Sequence, residues 1–317
     1  MKLVLRLLGM LLLALLVLFG LTVAWYWTPD IPVEQLKARW APPPSQFIDV
    51  DGLQVHVRDE GPRNDPLPVV LIHGTSASLH TWDGWAAELS KTRRVIRFDL
   101  PGFGLTGPNA AGDYSMAYYV SFTGKLLDKL GVARCVLGGN SLGGEVAWTT
   151  AHDLPQRVER LILVDAAGYR FQPRSVPLGF VIAATPGLRV LMKHVLTPGT
   201  IERSVRNVYG DPSRVTPALV ERYRDLALRA GNREALGQRL QLRYTGRDAD
   251  VKNLKLPTLI LWGGKDNLIP PEYGQRFASE IAGSRLVMFD SLGHVPQEED
   301  PVATLAPVQA FLQAASR

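Results

Sequence analysis

Cys135-Val136-Leu137-Gly138-Gly139-Asn140-Ser141-Leu142-Gly143-Gly144 is the stretch on which the fold turns. A short apolar run over 135–137 suits a buried parallel strand. The 142–152 segment that follows reads as a helix. Between them Gly139-Asn140-Ser141-Leu142-Gly143 fits G-x-S-x-G, with a strand before it and a helix after it, the context this pattern requires. In such a turn the flanking glycines avoid steric clash and the serine oxygen projects into a cleft. The helix N-terminus behind it favours negative charge.

Working outward, short apolar strands and helices alternate. Residues 47–59 read as two strands around Asp51-Gly52, a strong hairpin signal. Strands are predicted at 69–72, 95–98, 161–164, 258–262 and 286–289. Helices are predicted at 82–89, 115–130, 272–281 and 301–314. This pattern implies a mostly parallel sheet with helices on both faces and antiparallel strands at one edge. Residues 169–250 interrupt the alternation with 14 Lys/Arg against 7 Asp/Glu, a net charge of +7 within a chain of 317 residues and net +5. So long a stretch is no bare loop, and it reads as a mostly helical cap inserted over the sheet. Its basic charge has two readings: a surface that meets anionic headgroups, or a solvated helical face.

A serine hydroxyl needs a base. Of the six histidines (56, 73, 80, 152, 194 and 294), His294 follows the last predicted strand, in Ser291-Leu292-Gly293-His294. Parallel sheets carry their sites on loops at the strands' carboxyl ends. His73, in Ile72-His73-Gly74, reads instead as a hydrogen-bonder shaping its turn. The acid that orients the base is Asp266, in Trp262-Gly263-Gly264-Lys265-Asp266, with Asp165 as the alternative. Asp99 reads as fixing its own turn. The catalytic set is then Ser141, Asp266 and His294. An oxyanion hole needs two backbone N–H groups. Leu142 supplies one and Thr75, after 69–72, the other, with Ser76 as the fallback. The chemistry expected requires no metal and no organic cofactor.

The N-terminus has its own signature. No charge occurs from Leu7 to Trp27, and Lys2 and Arg6 precede the run. At about 1.5 Å per residue it reaches roughly 30 Å, one hydrocarbon core. Trp25-Tyr26-Trp27 sits where an aromatic belt belongs. A cleaved signal peptide is the competing reading, but small residues are expected at its cleavage site. The expectation is a transmembrane anchor over 7–27, with residues 1–6 cytoplasmic and the catalytic domain on the opposite, extracytoplasmic side. Residues 28–45, including Ala41-Pro42-Pro43-Pro44-Ser45, read as a juxtamembrane linker that is stiff at its proline run. The domain parts follow as 46–168, the 169–250 cap and 251–317. A single cysteine, Cys135, excludes an intramolecular disulfide framework and paired-cysteine zinc sites. No nucleic-acid-binding pattern is present.

The order of His73-Gly74, the Asp99–Gly104 turn, Gly139–Gly144, Asp266 and Leu292-Gly293-His294 resembles the α/β-hydrolase superfamily over about residues 46–317. Within it, Gly138–Gly144, Val164-Asp165-Ala166-Ala167-Gly168 and Leu261–Asp266 are similar to bacterial lipases and esterases. That group includes monoacylglycerol lipases and membrane-bound phospholipases A with an N-terminal membrane helix; meta-cleavage C–C hydrolases have similar elbows. The resemblance implies an α/β-hydrolase fold and a membrane-anchored serine ester hydrolase acting on acyl lipids. The partners expected are an acyl-lipid or ester substrate and the lipid bilayer, with a homodimer admitted. The alternative is C–C hydrolysis or perhydrolysis of a small soluble substrate. A non-enzymatic binding protein on this fold is the third reading, disfavoured by a complete Ser–Asp–His set.

Overall fold

In a computed structural model, which describes residues 2–242 and 246–314, eight strands form one sheet. They are β1 (Ser45–Val50), β2 (Leu53–Glu60), β3 (Val69–Ile72), β4 (Val95–Phe98), β5 (Cys135–Asn140), β6 (Val158–Val164), β7 (Thr258–Gly263) and β8 (Arg285–Phe289). Their order is β1-β2-β4-β3-β5-β6-β7-β8. The hairpin edge β1–β2 and its junction with β4 are antiparallel, and every other pairing is parallel. Asp51 and Gly52 both have positive φ, as a two-residue hairpin turn requires. The mostly parallel sheet expected from the sequence is thus present.

The interiors of β3, β5 and β7 are apolar on both faces, and the faces sort by a period of two. Val70, Ile72, Leu137 and Ile260 pack with α4 (Met116–Lys129), α5 (Leu142–Asp153) and α11 (Glu272–Glu280). Val69, Leu71, Val136 and Leu259 pack with α3 (Asp83–Leu89) and α13 (Pro301–Gln313). Trp85, buried on α3, donates its indole N–H to Thr304 on α13 at 3.0 Å, closing that layer.

Between β6 and β7 the chain forms α6 (Leu178–Ala184), α7 (Pro186–Met192), α8 (Pro198–Val208), α9 (Pro217–Ala227) and α10 (Asn232–Leu240). Six of the fourteen basic residues of 169–250 pair with acids elsewhere in the molecule. Arg174 pairs with Glu272, Arg214 with Asp300, Arg222 with Glu298, Arg233 with Asp30, Arg239 with Glu145 and Arg247 with Asp153. These acids all lie outside 169–250, so the excess of arginine within the insertion answers acids facing it. Pairs of this kind are worth little each when exposed. Arg222 with Glu298 is the more enclosed case, with side chains 15% and 8% exposed.

The N-terminal helix α1 (Lys2–Trp25) buries none of its residues. Residues 28–45 are more than an extended linker. They contain a two-turn helix, α2 (Val33–Trp40), because Leu36 finds a small core with Leu105 and Leu226. Polar contacts fix this segment: Trp40 donates to Asp225 at 3.0 Å, and Arg39 makes two bonds of 2.6 Å to Glu221.

His80 and His73 are buried and their ring pKa values are lowered, first by burial; that of His80 is pushed down to about 4 against the opposing charges of Asp99 and Asp83. His80 bridges Ser78 and the Trp40 carbonyl as a neutral ring. In the unfolded chain a histidine protonates below about pH 6.5. The unfolded state therefore binds more protons between pH 6.5 and 4, and this contribution to stability is lost as pH falls through that window. His80→Gln should flatten the dependence of unfolding free energy on pH there by up to about 1.4 kcal/mol per pH unit. Denaturant unfolding of the full chain in detergent between pH 7 and 4.5 measures it, and an unchanged slope would contradict a neutral His80.

Candidate active site

The sheet register collects the predicted residues at one edge. Ile72 lies opposite Gly139, Asn140 opposite Val164, and Val164 opposite Leu261. The loops leaving β3, β5, β6 and β7 therefore emerge side by side, carrying Thr75, Ser141, Asp165 and Asp266. The loop after β8 adds His294.

Ser141 sits between β5 and α5 with φ +55° and ψ −118°, outside the usual regions for a non-glycine residue. The turn holds because its neighbours approach so closely. A Cβ on Gly139 would lie 2.1 Å from the Gly143 carbonyl oxygen, and one on Gly143 would lie 2.2 Å from that of Ile72. Only glycine fits at either position. The Ser141 backbone is tied down on both sides: its N–H donates to Val164 O at 3.0 Å, and its carbonyl accepts from Ala167 and Glu145. Leu142 opens α5, where first-turn N–H groups lack helical acceptors. Thr75 follows β3 in a turn that includes Ser76 at φ +59° and an Ala77 N–H bond to Gly74 O. Thr75, Ser76 and Ser141 line the same pocket.

His294 and Asp266 are buried, and the Nδ1 of His294 lies 2.6 Å from Asp266 Oδ2. The other oxygen of Asp266 accepts the N–H groups of Leu268 and Ile269 at 2.8 and 2.9 Å. That carboxylate therefore has donors around both oxygens, and Nδ1–H toward Asp266 leaves Nε2 as the basic nitrogen. Asp165 is the other candidate acid. It is fully buried, with its Oδ1 accepting from Gly263 N at 2.9 Å. Burial first, then the charge of Asp266, push the Asp165 carboxyl well above the ordinary carboxylate range. Asp165 is thus biased toward its protonated form, and Asp266 is the carboxyl in contact with the His294 ring.

Asp165, Asp266 and His294 each present a donor atom within 4.8 Å of the others, the one such cluster among the described residues. Asp266 is committed to His294 and to two backbone N–H groups and Asp165 Oδ1 to Gly263 N, while Asp165 Oδ2 is buried without a hydrogen-bond partner.

The remaining histidines and Asp99 have other work. His73 uses both ring nitrogens, one toward Gly74 O at 2.7 Å and one accepting Leu100 N–H at 2.9 Å. It joins the turns after β3 and β4. Asp99 accepts from Leu79 N and Leu105 N and meets His56 Nδ1 at 2.8 Å. Burial opposes its charge, but His56 holds its carboxyl well below the ordinary range.

Two positioning residues escaped the sequence reading. Asn140, the variable residue of the G-x-S-x-G pattern, donates its side-chain amide to Val164 O at 3.1 Å and to His294 O at 2.9 Å. It ties the serine turn to the histidine loop. Glu299 is buried and accepts from Gly293 N, Gly210 N and Asp211 N, at 2.8, 2.9 and 2.7 Å. With His294 N–H bonded to Val208 O at 2.7 Å, it fastens the histidine loop to the end of α8. Nothing local in the sequence marks either contact; Asn140 and His294 are 154 residues apart.

Ser141 and His294 both line one pocket. Its walls are mainly apolar, with Phe103, Phe180, Leu196, Ile201, Val205 and Leu236 among them. Most of these side chains come from the inserted helices, which roof the strand edge.

A family model described as the alpha/beta hydrolase fold matches residues 68–301. The 2-hydroxy-6-oxo-2,4-heptadienoate hydrolase of Pseudomonas putida is 31% identical over 279 residues, covering 85% of this chain and 96% of that one. A meta-cleavage product hydrolase from Pseudomonas fluorescens superposes with a TM-score of 0.72 at 27% identity, covering 84% of this chain and 97% of that one. A structure described as a membrane phospholipase A gives a TM-score of 0.73 at 27% identity, covering 98% of each chain.

The two carboxyls make a ranking test. Asp266→Asn removes the charge facing the His294 ring and should lower kcat by about 10³–10⁴-fold. Asp165→Asn alters a carboxyl that burial and the charge of Asp266 push toward its protonated form, and should lower kcat less than about 10-fold. Steady-state turnover of a short soluble ester measures both, and the reverse ranking would transfer the acid's role to Asp165.

Proposed function

The chain belongs to the alpha/beta hydrolase fold family, and from that premise we propose that it is a membrane-anchored serine ester hydrolase acting on acyl lipids. The observation that carries the reading is a conjunction: a mainly apolar pocket that Ser141 and His294 both line, on a chain whose N-terminal 24-residue helix is apolar and buries no residue. The whole-length likeness to a membrane phospholipase A supports it, since a match covering 98% of this chain must take in most of that helix.

In this mechanism Ser141 Oγ attacks the ester carbonyl carbon while Nε2 of His294 takes its proton. Asp266 stabilises the imidazolium through Nδ1. The N–H groups of Leu142 and Thr75 hold the developing oxyanion. Collapse of the tetrahedral intermediate breaks the C–O bond, and His294 hands its proton to the leaving alcohol. A water molecule, deprotonated by His294, then attacks the acyl-serine. Its proton returns to Ser141 as the fatty acid departs. Asn140 and Glu299 hold the histidine loop in register throughout. Residues 7–27 span the bilayer uncleaved, with residues 1–6 cytoplasmic and residues 28 onward on the opposite side. Residues 169–250 act as the cap that shapes the acyl site.

A second reading is C–C hydrolysis of a soluble substrate, favoured by the identity with the heptadienoate hydrolase. The same residues would serve it, and the exposed apolar helix would have no part in it.

Full-length protein should resist extraction by high salt and carbonate, react with a fluorophosphonate probe, and turn over acyl esters in preference to a vinylogous 1,5-diketone. Ser141→Ala should abolish probe labelling and lower ester turnover by at least about 10³-fold in a folded protein. Near-normal turnover by that variant would refute the nucleophile, and a preference for the diketone would favour the second reading.

A further inference from the structure

The α6–α7 segment differs in composition from the rest of the insertion. Between Ser175 and Met192 the sole charged residue is Arg189, whereas residues 169–250 as a whole carry 14 basic and 7 acidic side chains. Its apolar residues divide between two faces. Phe180 and Gly179 line the pocket and Ala183 is fully buried. Val176, Leu178, Val181, Leu188 and Val190 face outward, 37–59% exposed. Single exposed apolar residues are ordinary, but five within 15 residues on and just before this two-helix unit are a concentration that calls for a partner.

The patch adjoins α1. Two residues beyond α7, the ring of His194 stacks on Trp27 with centroids 4.4 Å apart, and its carbonyl accepts the Thr28 N–H at 2.7 Å. Trp27 and Val195 also form an antiparallel bridge. The end of α7 is thus fixed within a few residues of the end of α1, where the aromatic cluster Trp25–Trp27 marks the edge of the apolar span. The basic residues flanking the patch are engaged elsewhere, Arg174 with Glu272 and Lys193 with Glu234. Contact here rests on apolar area, not on attraction of the cap's arginines to headgroups.

We propose that the outward face of α6 and α7 is a membrane-contact surface, seated in the lipid interface beside the end of α1. Acyl substrate then enters the pocket from the bilayer past Pro177, Gly179 and Phe180 without crossing water. The occupant is the lipid bilayer, because the segment following α7 is fixed against Trp27 and Thr28, next to the end of the exposed apolar helix α1. This inference rests on the proposed reading of an anchored lipid hydrolase and deepens it.

The test is a depth measurement on the full chain, which needs no turnover. Nitroxide labels are placed singly by Val181→Cys, Val190→Cys, Leu13→Cys and Lys125→Cys, the last on the exposed side of α4. Native Cys135 is buried, and burial pushes its thiol up to about 12, so it does not compete for the label. In vesicles of phosphatidylethanolamine and phosphatidylglycerol, collision rates with oxygen and with a water-soluble nickel chelate are compared. Labels at 181 and 190 should favour oxygen, at a depth between that of Leu13→Cys and the lipid surface, and Lys125→Cys should favour nickel. Labels at 181 and 190 as open to nickel as at 125, with 13 deep, would overturn the contact surface while leaving the anchor standing. All four open to nickel would remove both. Label–label broadening at 181 or 190 in detergent would assign the face to a second copy of the chain and overturn the proposal. Val181→Asp combined with Val190→Asp should keep turnover of a short soluble ester within 2-fold and lose at least 10-fold on vesicle lipid. Retention of wild-type vesicle turnover by that variant would also contradict the proposal.

Discussion

The strained turn at Ser141 is the constraint on which the other features depend. A non-glycine residue at φ +55° costs of order 1–3 kcal/mol and persists only where its surroundings hold it. Here the surroundings are backbone: Val164 O, Ala167 N, and the close passage of Gly139 and Gly143 past neighbouring carbonyls. Those contacts require β3, β5 and β6 to be adjacent and in register. The sheet order and the elbow therefore imply one another. The strain places a hydroxyl, with the first N–H groups of α5 behind it, at the point where five loops converge.

Charge is arranged around that point with economy. Three carboxyl groups surround His294: Asp266 against its ring, Asp165 beside Asp266, and Glu299 on its loop. They serve different ends because their environments differ. Asp266 has hydrogen-bond donors at both oxygens, including His294. Asp165, buried against a like charge, is pushed toward its neutral form. Glu299 collects three backbone N–H groups and joins the histidine loop to the inserted helices. Through Glu299 and Val208 the roof of the pocket and the position of His294 are mechanically one unit.

What was legible in the sequence follows the range of the interactions. Ser141, Asp266 and His294 each sit at the end of a short apolar strand, and strand ends are local patterns, so their convergence could be read from residue order alone. The same holds for the Asp51-Gly52 hairpin and for the apolar run of α1. Asn140 reaches His294 and Glu299 reaches Gly210 and Asp211 across the fold, and no local pattern announces these contacts. Residues 28–45 read as a linker because their prolines are conspicuous. The docking of Leu36, Trp40 and Asp30 depends on cap residues Leu226, Asp225 and Arg233, which only the tertiary structure brings near. The net charge of 169–250 was visible, but its use was not: the paired acids are scattered from Asp30 to Asp300.

The central claim is that Ser141 takes an acyl chain from a membrane lipid. Rapid-quench peptide mass spectrometry of the full-length protein, mixed with vesicles of a single defined phospholipid or glyceride, tests it directly. The account predicts a transient adduct on the peptide containing Ser141 whose added mass equals that lipid's fatty acyl group less the proton displaced, decaying as free fatty acid appears. Release of fatty acid with no adduct at Ser141, or an adduct on another residue, would contradict it.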